Sequence, residues 1–383
     1  MTIKLASMVL ITIFQLFLIV WVVAYLFVNM LHLVKVEPIK HELIAYPELS
    51  VCIPARNEER GNQACLESLL DQDYPKFEVI VVDDNSTDAT KSIIISLKEQ
   101  YPNLVFIPGK QLALGWKGKT YALHQACKEA KGEYFLFTDA DLVYKPYALK
   151  SAMQAMVSRD LDLLTLMPAA IFGSFWERAI QPIVFGFIAA LTRFRKVNSS
   201  ISQSAMGFGA FLLFKKVSYQ RIGGHFSVRN ETLEDVMLSK NAKVNGLCML
   251  VADGKKLFSI RMYYSLKEIW VGWRKNIFLA MKGSIAKTFH YAFITICFVL
   301  TPYFVVIGNI WMGAELIWMV VALLGLILNL ITGLVLCIEL NLGKMNIFLF
   351  PLGAIVMVAI MFNSMIHVVF LRRTEWRGRI YQQ

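Results

Sequence analysis

The sequence predicts an α/β domain, built on a doubly wound and mostly parallel sheet, that is joined to transmembrane α-helices. Two observations predict this combination: strand and helix signals alternate along the middle of the chain, and four long apolar stretches lie on either side of that region. The composition agrees, because 56% of the 383 residues are hydrophobic and only 17% are charged, against about 45–50% and about 25% in soluble proteins. Such a chain divides between water and lipid.

Each apolar stretch is long enough to cross a bilayer, which takes about 20 residues. The stretches span residues 8–34, 290–313, 317–338 and 347–371. The first is too long for a signal peptide and no small-residue cleavage site follows it, so residues 1–36 are interpreted as an uncleaved anchor. Residues 289–373 are assigned to C-terminal transmembrane helices, and residues 374–383 to a basic tail.

The net charge of +11 fits the excess of Lys and Arg that flanks membrane segments. The basic residues are dispersed and no motif of a nucleic-acid-binding module occurs, so no nucleic acid partner is expected. No obligatory protein partner is evident. The six cysteines have no zinc-binding spacing and are expected to be buried residues in a reducing compartment.

Residues 45–260 carry the alternation of strands and helices. Strand signals lie at residues 49–53, 77–82, 104–107 and 134–137, and helix signals at residues 63–70, 89–100 and 120–130. This order predicts a parallel sheet with helices on both faces. Ligands of such sheets bind beyond the carboxyl ends of the strands. The residues that follow each strand are therefore the candidates for chemistry.

Three of the predicted strands are followed by polar turns, at residues 54–59, 83–88 and 138–141. Helix capping alone would explain one such turn. It does not explain the adjacent aspartates Asp83 and Asp84, or the pair Asp139 and Asp141. Crowded carboxylates repel one another unless a cation lies among them. A hard divalent ion together with a diphosphate is the natural partner.

Together with two further motifs, these turns resemble family 2 glycosyltransferases, which have the Rossmann-like GT-A fold. The further motifs are the basic segment 115–119 and the later pair Glu234 and Asp235. All five occur in the order that the family shows, over residues 49–276. Among membrane-bound members, the chain is similar to hopanoid-associated and carotenoid-acid glycosyltransferases, and more distantly to ceramide glucosyltransferases.

The resemblance implies a nucleotide-sugar donor, with a UDP-sugar as the expectation. The residues that it assigns to the donor are Pro54, Ala55, Arg56, Asn57, Glu58, Asp83, Asp84, Lys117, Lys119 and Asp139. Asp139 and Asp141 are expected to hold Mg²⁺ or Mn²⁺ against the diphosphate, where the ion would stabilise the leaving group. For Lys117 and Lys119, a solvated loop is an equally open interpretation.

The acceptor side is expected to use Glu234 and Asp235, with Asp235 as the general base of a single, inverting displacement. The alternative is an acidic helix N-terminus, which the helix dipole favours. Gly207 and Gly209 resemble the glycine-containing acceptor loop that precedes this pair in the family.

One departure from the pattern is the absence of the Q-x-x-R-W motif of many membrane relatives. Trp273 and Arg274 stand in its place and are expected near the acceptor and the diphosphate. Residues 261–288 also have the spacing of a basic amphipathic helix lying in the membrane interface, and both interpretations can hold. The missing motif disfavours a processive polysaccharide synthase, and the intact Asp139, Asp141 and Asp235 disfavour an inactive scaffold.

The sequence therefore predicts transfer of one sugar to a membrane lipid, by a multi-pass protein of the cell membrane. Since nucleotide-sugars are cytoplasmic, the catalytic domain is expected to face the cytoplasm. Three C-terminal crossings would then place the C-terminus outside, whereas the arginines of the tail favour the inside. These arginines are Arg372, Arg373, Arg377 and Arg379.

Overall fold

The computed structural model describes residues 3–39, 41–43, 45–370, 373–376 and 379–382. Arg372, Arg377 and part of the predicted basic tail lie outside the described residues. The strands are β1 (Val34–Lys35), β2 (Leu49–Ala55), β3 (Phe77–Asp83), β4 (Leu104–Pro108), β5 (Tyr134–Phe137), β6 (Leu142–Tyr144), β7 (Leu163–Met167), β8 (Ala169–Ala170), β9 (Leu212–Lys215), β10 (Met249–Asp253), β11 (Phe258–Ile260), β12 (Arg373–Trp376) and β13 (Arg379–Gln382).

The described helices fall into those of the α/β domain and those that lie before and after it. They are α1 (Ile3–Met30), α2 (Asn62–Leu70), α3 (Thr90–Gln100), α4 (Gly118–Glu129), α5 (Ala148–Ser158), α6 (Phe175–Leu191), α7 (Phe194–Val197), α8 (Lys216–Arg221), α9 (Gly224–Ser227), α10 (Glu234–Val244), α11 (Leu266–Ala280), α12 (Ile285–Thr295), α13 (Thr301–Trp311), α14 (Leu316–Glu339) and α15 (Phe350–Val369). A π-helical segment, Ile296–Leu300, joins α12 to α13, and a 3₁₀ helix, Lys344–Leu349, precedes α15.

The main sheet has the strand order β1-β10-β7-β9-β5-β2-β3-β4. Its strands pair in parallel except for β9, which runs antiparallel to both β5 and β7. A small sheet with the order β6-β11-β8 lies beside it. The predicted α/β fold with a mostly parallel sheet is confirmed. The four predicted strands are β2, β3, β4 and β5.

Alternate residues of the central strands enter two separate cores, one on each face of the sheet. Val51 and Val79 pack with Leu66 on one face, while Ile80 packs with Leu123 on the other. All five are at most 2% exposed. Burial of each such side chain stabilises the fold by roughly 1.5–3 kcal/mol relative to exposure. The sheet is thus a rigid support for the loops at its carboxyl edge.

Four of the described helices are long and apolar enough to cross a membrane, and they indicate membrane association. They cover Lys4–Met30, Ile285–Trp311, Leu316–Glu339 and Lys344–Val369. Pro302 and Pro351 stand near helix starts, where proline is tolerated. Each of the four predicted apolar stretches therefore corresponds to one helix or to a nearly continuous helical run.

Helix α1 is attached to the end of α6 by Asn29, whose side chain is 7% exposed. Its amide Nδ2 donates to the carbonyl oxygens of Ala189, at 2.9 Å, and Thr192, at 3.0 Å. Its Oδ1 accepts from the backbone N–H of Phe194 at 3.1 Å. These bonds satisfy backbone groups at the end of α6 that the helix itself leaves unpaired. They fix the N-terminal helix to the α/β domain.

Helix α11 forms the centre of the segment predicted to be amphipathic, residues 261–288. Its apolar face, which includes Ile269, Trp273 and Ile277, packs against α6 and α15. The face predicted to meet lipid is therefore covered by protein. The hydrophobic periodicity correctly indicated a buried face, but not the partner that buries it. A position of α11 at the membrane interface stays a prediction.

The cysteines differ from the expectation at two positions. Cys248 is exposed and Cys127 is partly exposed, whereas the other four are buried. Cys248 lies in the turn between α10 and β10, at the surface of the domain. The prediction that all six cysteines are buried is wrong for these two.

Candidate functional site

The loops that follow β2 and β3 are bonded to each other at the carboxyl edge of the sheet. The side-chain Oδ1 of Asn57 accepts from the N–H of Thr87 at 2.8 Å, and the N–H of Asn57 donates to Ser86 Oγ at 3.1 Å. Arg56 donates to the backbone oxygens of Asp84 and Asn85. The two loops, which carry residues predicted to bind the nucleotide-sugar, are therefore linked to each other by hydrogen bonds.

The loop that follows β5 carries Asp139 and Asp141. Thr138 holds the loop in place, since its hydroxyl donates to the carbonyl oxygen of Ala210 at 2.8 Å. Gly61 packs against the far side, where an added Cβ would lie 3.2 Å from the Cα of Asp141. A side chain at position 61 would therefore require this part of the loop to shift by a few tenths of an ångström. Both aspartates line the cavity described below.

Lys119, in the first turn of α4, lies at the centre of the site. Its ammonium Nζ is 2.7 Å from Asp139 Oδ1 and 2.9 Å from Glu234 Oε1. Burial disfavours the charge, but the neighbouring carboxylates, with Asp139 foremost, hold the pKa of Lys119 well above its usual value. Lys119 thus links the predicted metal-binding turn to the predicted catalytic pair.

Asp235 is the second residue of α10, next to Glu234, and its carboxylate is held by two backbone amides. Its Oδ2 accepts from the N–H of Gly209 at 2.7 Å, and its Oδ1 accepts from the N–H of Val236 at 2.8 Å. Gly207 approaches so closely that an added Cβ would lie 2.3 Å from the carbonyl oxygen of Asp235. The predicted glycine-containing loop therefore packs directly on the predicted base.

The surroundings shift the pKa values of Glu234 and Asp235 in opposite directions. Burial and the charge of Glu234 raise the pKa of Asp235 to about 7, against the opposing effect of Lys119 and the two amides. Burial also acts to raise the pKa of Glu234, but Lys119 outweighs it and the pKa of Glu234 is lowered. A carboxyl group that titrates near neutral pH is suited to accept a proton during a reaction.

Lys117 is the residue that directly precedes α4. Its backbone N–H donates to the carbonyl oxygen of Arg229 at 2.9 Å, and its ammonium donates to the hydroxyl of Thr232. Burial lowers the pKa of Lys117. Of the two interpretations that the sequence left open for Lys117 and Lys119, a freely solvated loop fits neither residue.

Helix α11 closes the site from the side opposite the sheet. Trp273 is 5% exposed and packs edge to face with Phe185 and Tyr263, at centroid distances of 6.3 and 6.0 Å. The carbonyl oxygen of Arg274 accepts a hydrogen bond from Ser364 of α15 at 2.5 Å. Trp273 lies on the wall of the cavity, whereas Arg274 does not and Lys275 does.

One continuous cavity of about 2380 Å³ contains the site. It runs from the carboxyl edge of the sheet, past α6 and α11, to side chains of the apolar helices α1, α12 and α14. The predicted site residues on its wall are Pro54, Asn57, Glu58, Lys117, Lys119, Asp139, Asp141, Gly207, Gly209, Glu234, Asp235 and Trp273. Those not on its wall are Ala55, Arg56, Asp83, Asp84 and Arg274.

The arrangement of carboxylates fits a metal that a substrate helps to hold. Within the described ranges no group of three or more His, Cys, Asp or Glu side chains could hold a metal alone. Mg²⁺ is bound in proteins by one or two carboxylates together with substrate phosphates. Asp139 and Asp141, which both face the cavity, match that incomplete set.

Lys275 is a residue that the motifs did not point to. The residues of α11 on the cavity wall include Lys267, Val271, Lys275 and Leu279, which are four apart and form one stripe along the helix. Helical spacing could have separated this stripe from the buried one that contains Trp273. No motif marks Lys275 as a residue of the site, and Trp273 of the buried stripe also reaches the cavity wall.

Residues 50–223 match the family model described as glycosyl transferase family 2. Together with the sheet order and the acid-rich turns, this match makes that part of the chain a glycosyltransferase family 2 domain with the GT-A fold. The predicted family and fold are confirmed. The roles of individual residues stay predictions.

Two relatives are the 4,4'-diaponeurosporenoate glycosyltransferases of Staphylococcus aureus strains MRSA252 and USA300. They are 27% and 26% identical to this chain over 246 residues. The matches cover 62% of this chain and 63% of each relative. The chain thus spans less than two thirds of the length of these relatives.

A similar solved structure is the mannosyltransferase PcManGT from Pyrobaculum calidifontis, in complex with GDP-mannose and Mn²⁺. The TM-score is 0.55 at 17% sequence identity, and the alignment covers 97% of this chain and 100% of the other. At this identity the likeness concerns the fold. It extends beyond the α/β domain to nearly the whole chain.

Proposed function

We propose that this protein is an inverting glycosyltransferase that moves one sugar from a nucleotide-sugar to a membrane lipid. The observation that carries the proposal is the continuity of the cavity. Asp139, Asp141 and Asp235 line one part of it, and side chains of the apolar helices line another. A water-soluble donor and an apolar acceptor can therefore meet at one set of carboxylates.

The donor is expected at the carboxyl edge of the sheet, where the loops after β2, β3 and β5 converge. PcManGT, which has the same fold, was solved with GDP-mannose and Mn²⁺. A nucleotide-sugar, with a UDP-sugar as our expectation, suits the predicted residues of these loops. Asp139 and Asp141 would hold Mg²⁺ or Mn²⁺, and the ion would supply positive charge to the departing diphosphate.

Asp235 is the proposed general base. The acceptor oxygen attacks the anomeric carbon while the bond between that carbon and the diphosphate oxygen breaks. The proton of the acceptor passes to Asp235, and the nucleoside diphosphate leaves with the bonding electrons. One displacement of this kind inverts the anomeric configuration. The amides of Gly209 and Val236 orient the carboxylate, and Glu234 holds Lys119 beside it.

The acceptor is proposed to lie along the part of the cavity between the apolar helices. Tyr25 of α1, Tyr291 of α12 and Leu336 of α14 are on its wall. The relatives from Staphylococcus aureus are named for a carotenoid acid, which is itself an apolar acceptor. A lipid could keep its chain among the helices while its polar end reaches Asp235.

The location follows from the donor. Nucleotide-sugars are made in the cytoplasm, so we propose a multi-pass protein of the cell membrane whose GT-A domain faces the cytoplasm. Four candidate membrane helices are compatible with this arrangement.

The test is transfer of radiolabelled sugar from UDP- and GDP-sugars into extracted lipid, using membranes that contain the full chain. We expect Asp235→Asn to lower the rate by about 10²–10⁴-fold, as removal of a general base does. Asp141→Ala is expected to abolish metal-dependent transfer, and EDTA to do the same in the parent protein. Lys98→Met, on the exposed face of α3, is the control for expression and insertion.

Three results would contradict the proposal. Undiminished transfer by Asp235→Asn would contradict the role of Asp235 as the general base. Turnover in the presence of EDTA would contradict the requirement for a metal ion. A ladder of products that carry many sugars would indicate the processive synthase instead. A labelled lipid with one sugar, released with inverted configuration, is the expected product.

A further inference from the structure

We propose that Lys275 binds the diphosphate of the donor, so that α11 supplies a residue of the donor site. This inference rests on the proposed function and adds a residue to it. The sequence predicted that Arg274, together with Trp273, lies near the acceptor and the diphosphate. The structure directs the neighbouring side chain to the cavity instead.

The position of Lys275 follows from the geometry of α11. Ile269, Trp273 and Ile277 turn one side of this helix into the apolar contact with α6 and α15. Residues 267, 271, 275 and 279 form a different stripe, and this stripe lines the cavity. Because α11 is packed on two other helices, its cavity-facing side is held in a defined direction. Lys275 is thus presented to the site by a rigid element.

Around Lys275 lie the groups that form the centre of the site. Those that act electrostatically on its ammonium are Lys117 and Lys119 of α4, Asp139 of the loop after β5, and Glu234 of α10. These residues come from the three segments that the motifs assign to donor, metal and catalysis. The ammonium of Lys275 therefore faces the position where the parts of the substrate must meet.

The other two lysines at this position already have partners. Lys119 pairs with Asp139 and Glu234, and Lys117 donates to the hydroxyl of Thr232. The side-chain ammonium of Lys275 has no hydrogen bond or salt bridge to any residue within the part of the chain that the structure describes. Of the three lysines, Lys275 is the one whose ammonium need not break a hydrogen bond or salt bridge to the described residues in order to bind an anion.

The surroundings of Lys275 favour the binding of an anion. Burial lowers the pKa of Lys275, and Lys117 and Lys119 act in the same direction against Glu234 and Asp139. A partly buried ammonium without a hydrogen-bond partner is costly, and a charge-assisted hydrogen bond offsets that cost. A diphosphate supplies several strong acceptor oxygens, and it carries more negative charge after the sugar has left.

The experiment measures nucleotide binding rather than transfer. The full chain, purified in detergent with Mg²⁺, is titrated calorimetrically with UDP, GDP, UMP and GMP. For Lys275→Met, we expect the Kd of the nucleoside diphosphate that binds to rise by roughly 10–100-fold, the range for loss of a charged hydrogen bond. The Kd of the matching monophosphate should change less than about twofold. Lys275→Arg should recover most of the diphosphate affinity.

Two further variants test whether the change in nucleotide affinity is specific to Lys275. Lys98→Met, at an exposed lysine of α3, should bind as the parent does. Arg274→Met separates the two adjacent basic residues, and a large loss there together with normal binding by Lys275→Met would overturn the assignment. If Lys275→Met lowers the melting temperature strongly, Lys275→Gln, which keeps a polar side chain, replaces it in the same titrations.

Failure of this inference can be told from failure of the proposed function. If the parent and Lys275→Met bind the diphosphate equally, only the role of Lys275 is lost. If Lys275→Met weakens diphosphate and monophosphate binding equally, the residue does not act on the diphosphate. If the parent binds neither UDP nor GDP, the proposed function itself is contradicted.

Discussion

Lys119 joins the two halves of the candidate site. A lysine that pairs with carboxylates from two different segments neutralises part of their repulsion and fixes the distance between them. Asp139 is thereby held near Glu234, and the predicted metal-binding turn near the start of α10. Lys119 thus connects the loop after β5 to the start of α10, which are the predicted donor and acceptor sides of the site.

At the same scale, the raised pKa of Asp235 predicts a pH dependence. A base must be ionised to accept a proton, so kcat/KM should fall about tenfold per pH unit below a pKa of about 7 and level off above it. The measurement is the initial rate of sugar transfer between pH 5.5 and 8.5. The residual activity of Asp235→Asn should lack this limb. A flat profile in the parent protein would contradict the assignment of Asp235.

At the level of single residues, the motifs predicted a set of side chains of which most line one cavity. Asp139 and Asp141 could be predicted because they follow a buried strand, whereas Asp235 was assigned through the family resemblance, and the roles of all three stay predictions. The motifs did not point to Lys275, because the direction of a side chain on α11 depends on which face of that helix α6 and α15 cover. That information lies in contacts between residues that are far apart in sequence.

Helices α6 and α15 cross at close range at Gly353 of α15. A Cβ added to Gly353 would lie 1.8 Å from the carbonyl oxygen of Ala179. Small residues let helix backbones approach closely in this way. Since α11 packs on both of these helices, the crossing also supports the wall of the cavity.

Gly353→Ala is therefore expected to destabilise the protein. Overpacking of this kind typically costs about 1–3 kcal/mol, and more where backbone must move. The measurement is thermal unfolding of the purified protein in detergent. Gly343→Ala is the matched control, since its added Cβ would approach only the amide of Asn346, at 3.4 Å. Equal melting temperatures for both variants would show that the crossing can relax without cost.

Local patterns predicted the elements with different success. The apolar runs of β2, β3, β4 and β5 were sufficient, because strands of a parallel sheet that is covered by helices are largely apolar. The antiparallel strand β9 was not predicted, since its four residues give only a short apolar signal and its direction is set by its neighbours β5 and β7. The apolar stripe of α11 was found, but periodicity does not distinguish lipid from protein as its cover.

At the scale of the whole molecule, Cys248 allows the proposed orientation to be measured. This thiol is free and exposed on the α/β domain. If the domain faces the cytoplasm, a membrane-impermeant maleimide should label Cys248 in broken membranes but not in intact cells. Cys248→Ser serves as the control for labelling at other thiols. Labelling of Cys248 in intact cells would place the domain on the opposite side.

The continuity of the cavity from the carboxylates to the apolar helices has a kinetic consequence. A lipid that keeps its chain between α1, α12 and α14 need not leave the bilayer, so it reaches the enzyme by diffusion in two dimensions. The quantity that sets the rate is then the acceptor's mole fraction in the surface and not its bulk concentration. Adding inert lipid or detergent at constant total acceptor would slow the reaction by surface dilution, while the dependence on the water-soluble donor would remain three-dimensional.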